Sequence, residues 1–208
     1  MSIELVTESN GLVNIAVDNG FARHKVAYWT KDKETGKRKL SCFSYASRAQ
    51  MGAVNISSAD EAQGVYDVDG EVYTVSDNLH DPVSMRGKSY AWSKINTALV
   101  YNSMLRAGAN GLPVRVCTGL PLKHYFKDGD NGSAAPDTDL IERVKSALKL
   151  DVTSPITDAL PEIAIHDVKP ESISAHLSYA YNYETDDLRK FRFGVVYVDV
   201  GGNTTDIT

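Results

Sequence analysis

Two aspartates, near opposite ends of the chain, each close an apolar run one residue short of a glycine. The later one lies in Tyr197-Val198-Asp199-Val200-Gly201-Gly202-Asn203-Thr204-Thr205-Asp206-Ile207-Thr208. There a strand delivers a carboxylate, two glycines turn the chain, and small hydroxyl residues lead it back. Glycines at such a turn let backbone N–H groups approach a phosphate with no Cβ in the way. Asp199 then stands where a phosphate-bound cation would be, and Mg²⁺ is usually held through waters by one or two carboxylates. Alone, the segment reads equally well as an ordinary hairpin. Asn14-Ile15-Ala16-Val17-Asp18-Asn19-Gly20 repeats the design, with a return strand from Lys25 to Tyr28. Two such turns facing one another would clamp a phosphate chain, with Lys25 as a point charge.

The elements that must carry these turns follow from pattern. Val13–Asp18, Lys25–Thr30 and Lys39–Ala46 are rich in β-branched and aromatic residues and read as strands. The charged stretch from Lys31 to Arg38 is a solvated hairpin tip with Gly36 at its turn, and 51–63 looks irregular. Asp69-Gly70 marks the turn of a hairpin over Val65–Val75. Ser93 is a candidate N-cap for a helix presenting Ile95, Ala98, Leu99, Asn102 and Leu105. A strand over Val114–Thr118 follows, then a surface loop at Lys127–Pro136. Asp139 and Glu142 have capping-box spacing for a helix over Leu140–Leu148. The order ends with a strand at Ile163–Val168, a helix at Glu171–Tyr183 and a strand at Phe193–Asp199. Pro170-Glu171 suits the first turn of that helix on structural grounds alone. Arg23, His24, Trp29 and Trp92 read as strand-surface or packing residues.

The paired Asp-Gly turns resemble the phosphate-1 and phosphate-2 motifs of the actin, Hsp70 and sugar-kinase superfamily. Further strings are similar to its plasmid-segregating ParM/StbA branch: Tyr90-Ala91-Trp92-Ser93, the helix closing on Gly108, Gly111, Leu112 and Pro113, Val116-Cys117-Thr118-Gly119-Leu120-Pro121-Leu122 with Tyr125, and Val168-Lys169-Pro170-Glu171-Ser172-Ile173. The resemblance implies an α/β, actin-like ATPase fold, with a ribonuclease-H-like mixed sheet, flanking helices and a small inserted subdomain at about residues 47–92. It implies ATP, with GTP as an alternative, as nucleotide, and Mg²⁺ held through water by Asp18 and Asp199. Asn19, Gly20, Lys25, Gly201, Gly202, Asn203 and Thr204 would bind phosphates. Glu171 would orient or deprotonate the attacking water, in line with the γ-phosphate. Family members often carry a small or hydroxyl residue directly after the first motif glycine. This chain has Phe21-Ala22 there, so one hydroxyl contact is lost.

In the family the adenine and ribose contacts come from a second domain that begins after the phosphate-2 hairpin. Residues 1–198 therefore read as the first half and 199–208 as the opening hairpin of the second, a piece expected not to turn over ATP alone. Implied partners are further copies of the chain in a filament, and an adaptor protein bound to centromere-like plasmid DNA. A formal charge of −5 argues against a broad direct grip on nucleic acid. The chain has no apolar run long enough for a membrane helix and no signal-peptide pattern, and its 42% hydrophobic and 24% charged residues are ordinary for a soluble protein. Cys42 and Cys117 fall in predicted strands and read as buried, reduced thiols of a cytoplasmic protein. The five histidines show no metal-ligand spacing with the cysteines. Two rival readings stay open: a small-molecule kinase using the same clamp, and a natural half that binds filaments without catalysis.

Overall fold

The computed structural model of the protein describes residues 3–54, 64–79, 81–84, 87, 89–129, 133–182, 185–200 and 205–207. Along the chain run β1 (Ile3–Leu5), β2 (Val13–Asn19), β3 (Arg23–Asp32), β4 (Arg38–Ala46), β5 (Ala49–Met51), β6 (Gly64–Val68) and β7 (Glu71–Val75). A 3-10 turn at Tyr90–Trp92 leads into α1 (Lys94–Arg106), followed by β8 (Pro113–Leu120), α2 (Leu122–Tyr125), β9 (Phe126–Asp128) and β10 (Ala134–Pro136). Then come α3 (Thr138–Ala147), β11 (Val152–Thr153), β12 (Glu162–Pro170), α4 (Glu171–Ala180), β13 (Tyr181–Asn182), β14 (Asp187–Leu188), β15 (Val198–Val200) and β16 (Thr205–Ile207).

The main sheet has six strands, in the order β1-β3-β2-β8-β12 with β4 on the free side of β3. β3 pairs antiparallel with both β2 and β4, whereas β2, β8 and β12 run parallel, so the sheet is mixed. Val13, Ile15 and Val17 alternate with Asn14, Ala16 and Asp18, and only the first set is buried. A period of two is what a strand with one core-facing side produces. The three parallel strands end together, Val17 beside Thr118 and Pro170 beside Leu120. In open α/β sheets that edge is where ligands bind.

A second sheet, β11-β6-β7-β5, stands apart from the first. Its hairpin turns at Asp69 (φ 50°) and Gly70 (φ 81°), the pair of left-handed residues that an Asp-Gly turn supplies. β11 joins this sheet from well beyond residues 47–92. Helix α1 packs against both sheets, which explains why every residue from Ile95 to Met104 is buried. Of the expected helix face, Ile95, Ala98, Leu99 and Asn102 are inside and Leu105 is half-buried, but the residues between Ile95 and Met104 on the other faces are inside as well. Ser93 caps it as expected, its Oγ accepting from the Asn96 N–H at 3.2 Å.

Several expectations need correction. Asp137, rather than Asp139, caps α3: its Oδ1 accepts from the Leu140 N–H at 3.2 Å, and Glu142 pairs with Lys145 at 2.8 Å instead of reaching back. The stretch expected as a loop at Lys127–Pro136 holds the two short antiparallel strands β9 and β10. α4 stops at Ala180 because Tyr181 is extended (φ −78°, ψ 126°), and the strand expected from Phe193 begins only at Val198. Cys42 is exposed and Cys117 half-buried, because both lie on the sheet face opposite the core, level with Ala27 and Ala16. His24 is fully buried, in the same alternation as Val26. Of the irregular stretch expected at 51–63, Met51 belongs to β5 and 55–63 lie outside the described residues. Among the described residues no helix is long and apolar enough to cross a membrane.

Candidate functional site

The edge formed by the ends of β2, β8 and β12 collects four features. Asp18 and Lys25 are cross-strand neighbours on the antiparallel β2–β3 pair. Lys25 Nζ donates to Asp18 Oδ2 at 2.7 Å, with the side chains 63% and 43% exposed respectively. An ion pair this open contributes only about 0.2–1 kcal/mol, so either partner exchanges easily for another charge. Between the two strands the chain turns through Gly20. A Cβ built there would lie 2.9 Å from the carbonyl oxygen of Arg23, so the tight turn admits no side chain.

Asn19, the next residue along β2, points to the other side and is 6% exposed. Its Oδ1 accepts from the Gly119 N–H at 3.1 Å, fastening the first turn to the end of β8. Gly119 in turn faces Glu171. A Cβ at Gly119 would come within 2.7 Å of Glu171 Cγ and 2.9 Å of Oε1. Glu171 opens α4 directly after Pro170, the last residue of β12. Gly119 thus links the Asp18 turn to Glu171, although 52 positions separate it from the glutamate and 100 from Asn19.

Behind the turn lies a buried polar network. His24 Nδ1 is 3.1 Å from Ser103 Oγ and its Nε2 is 3.0 Å from the Tyr90 hydroxyl. Ser103 Oγ also lies 3.0 Å from the Leu99 carbonyl oxygen and 2.9 Å from the Tyr45 hydroxyl, so one tautomer of His24 donates to Ser103 and accepts from Tyr90 and the other does the reverse. Burial pushes His24 down to about 3, which keeps it neutral. Phe21 packs on Tyr90 with ring centroids 5.2 Å apart. The residue after the motif glycine therefore serves as an anchor into this network.

Of the second turn, the backbone of β15 and β16 is described, and Asp199 pairs with Asp206 across a two-stranded sheet of their own. Gly201, Gly202, Asn203 and Thr204 lie outside the described residues. Asp18, Asn19, Gly20, Lys25 and Glu171 are thus brought to one edge. Gly119 joins them without having been assigned a role from sequence. Its string, Val116–Leu122, is part of the family resemblance, but no local signal marks a glycine made necessary by a side chain 52 positions away.

The family model described as plasmid segregation protein ParM, N-terminal (StbA_N), matches residues 13–182, most of the chain. The chain belongs to the ParM N-terminal family. Among solved structures it is similar to Ta0583, an archaeal actin homolog, with a TM-score of 0.60 and 20% identity over 94% of this chain and 56% of that one. It is similar also to the ParM of a 15-stranded filament from Clostridium botulinum, with a TM-score of 0.56 and 17% identity over 95% of this chain and 58% of that one. The subunit of the Alp12 filament gives a TM-score of 0.53 and 15% identity over 95% and 56% of the two chains. No curated protein matches the sequence. These likenesses establish an actin-like fold. The ParM-family chain spans only 56–58% of the length of these three structures.

Proposed function

We propose that this ParM-family chain supplies the first half of a nucleotide cleft in a filament-forming plasmid segregation ATPase. ATP, or alternatively GTP, would bind with Mg²⁺ at the edge carrying Asp18, Gly119 and Glu171. The observation that carries the reading is the chain of contacts from Asp18 through Asn19 and Gly119 to Glu171, which joins a phosphate-type turn to a carboxylate at a helix start.

The residues fit such a ligand. Gly20 permits a turn too tight for a Cβ, Gly119 leaves room for the Glu171 side chain, and Asp18 is a half-exposed carboxylate suited to holding a hydrated cation with Asp199. Bound Mg²⁺ supplies charge neutralisation on the phosphates. Lys25 would leave Asp18 for a phosphate oxygen once the cation takes the carboxylate. Glu171 would accept a proton from, or orient, the attacking water. Gly201, Gly202, Asn203 and Thr204 would offer donors from the second turn, so residues 1–198 form one wall of the cleft and 199–208 open the other. Further copies of the chain would be the filament partners, and an adaptor protein on centromere-like DNA would link filament to plasmid.

Nucleotide can drive assembly only if it binds the filament conformation more tightly than the free one. The full-length protein is therefore expected to sediment as polymer with ATP or a slowly hydrolysed analogue and to disperse with ADP. Equal pelleting in ATP, ADP and nucleotide-free buffer would count against the reading.

A further inference from the structure

Ser47 follows β4 directly, is 7% exposed, and reaches the Asp18 turn twice. Its Oγ donates to the Gly20 carbonyl at 2.6 Å and its backbone N–H donates to the Ala22 carbonyl at 2.9 Å. Both carbonyls are thereby held toward the core side of the turn. In a trans peptide the C=O and N–H point in opposite directions, and the described residues contain no cis bond. A Gly20 carbonyl fixed on Ser47 therefore turns the Phe21 N–H away from the core. The Phe21 ring is meanwhile occupied against Tyr90, so at this position the side chain offers no donor and the backbone does.

We propose that Ser47 is a positioning residue for the phosphate chain of the nucleotide: by holding the Gly20 carbonyl it aims the Phe21 N–H at a phosphate oxygen, in place of the hydroxyl that residue 21 lacks. The inference rests on the nucleotide reading above. Three features set it apart from simple packing. The hydroxyl bond is short, the target is a carbonyl whose peptide partner faces outward, and the backbone of the same residue secures the turn two positions on.

The test is titration of the full-length protein with Mg-ATP and with adenosine, for wild type, Ser47→Ala and Ser47→Thr. Ser47→Ala is expected to weaken ATP by roughly tenfold, the scale of one hydrogen bond, while adenosine affinity stays at the wild-type value. Ser47→Thr, which keeps the hydroxyl, is expected to restore ATP binding. In ¹⁵N-labelled wild type the Phe21 amide resonance should shift with ATP and not with adenosine, a measurement that stands even if Ser47→Ala fails to fold. Wild-type ATP affinity in Ser47→Ala, an equal loss for adenosine, or an unmoved Phe21 amide at ATP saturation would each overturn the proposal. Absence of any ATP binding by wild type would instead remove the nucleotide reading itself, and this inference with it.

Discussion

Asp18 and Glu171 are both carboxylates at strand ends, yet their surroundings predict different failures. Asp18 is half exposed and paired with Lys25, and the role proposed for it is to hold a hydrated cation. Glu171 lies against Gly119 at the start of α4, and the role proposed for it is on the attacking water rather than on the phosphates. In the full-length protein Glu171→Ala is expected to slow nucleotide hydrolysis by roughly 10²–10⁴-fold, the usual scale for a positioned acid or base, with binding nearly intact. Asp18→Ala should instead weaken Mg²⁺-dependent binding. Turnover and affinity measured side by side decide this, and equal losses of affinity with unchanged turnover at saturation would refute the division of roles. Gly119→Ala is the sharper probe. Its methyl would fall 2.7 Å from Glu171 Cγ, so the glutamate must move while Asp18 and Lys25 stay. We expect its single-turnover hydrolysis to fall like that of Glu171→Ala while nucleotide affinity holds; unchanged hydrolysis would show that Glu171 is not placed by this contact.

At the scale of elements, the strands legible from sequence are those whose signal is local. β2 and β3 alternate at period two, and the Asp69-Gly70 turn demands left-handed backbone at both positions. The start of α3 was less legible because Asp137 and Asp139 both precede a helical pattern with suitable spacing. Which of them caps is decided by which oxygen meets an orphan N–H, and Asp137 Oδ1 meets that of Leu140. Asp137→Ala should therefore cost about 0.5–2 kcal/mol, and Asp139→Ala much less. For a chain of this size that is a lowering of roughly 2–4 °C in melting temperature per kcal/mol. Comparable melting shifts in the two variants would contradict the assignment. The burial of α1 on all sides was not legible either. Its pattern shows one apolar face, and only the presence of β6 and β7 on the far side gives the remaining residues a second surface.

For the molecule as a whole, two histidines, the buried His24 and the half-buried His166, make stability depend on pH. Burial pushes His24 down to about 3 and His166 to about 4, from an ordinary value of 6.5. Both are neutral in the folded state. Below pH 6.5 the unfolded chain takes up protons that the folded chain does not, so acid favours unfolding. Their stabilising contribution is complete above pH 6.5 and is lost progressively as pH falls through about 4 and then 3. Denaturant titrations should show stability flat near pH 7–8 and declining from about pH 6.5 downward. His166→Gln, which keeps a polar group near Thr118 Oγ1, should make that decline shallower. A slope unchanged by the substitution would show that His166 does not carry the effect.

The sequence by itself determined the local chemistry: a strand, an aspartate, a turn through glycine and a lysine on the return strand, with Pro170-Glu171 opening a helix. Backbone geometry and residue type suffice for these because the partners are near neighbours in the chain or lie across one hairpin. It also carried the family, through short strings kept in order. The alternation of His24 with Val26 could have revealed the buried histidine, since both occupy the same side of β3. Tertiary structure alone decided what meets across strands that are far apart in sequence. Asn19 reaches Gly119, Gly119 makes room for Glu171, and Ser47 holds the turn from behind. Those contacts depend on the register of β2, β8 and β12 and on how the chain leaves β4. Register is fixed by the whole buried face at once, through the packing of many side chains, and no single residue announces it.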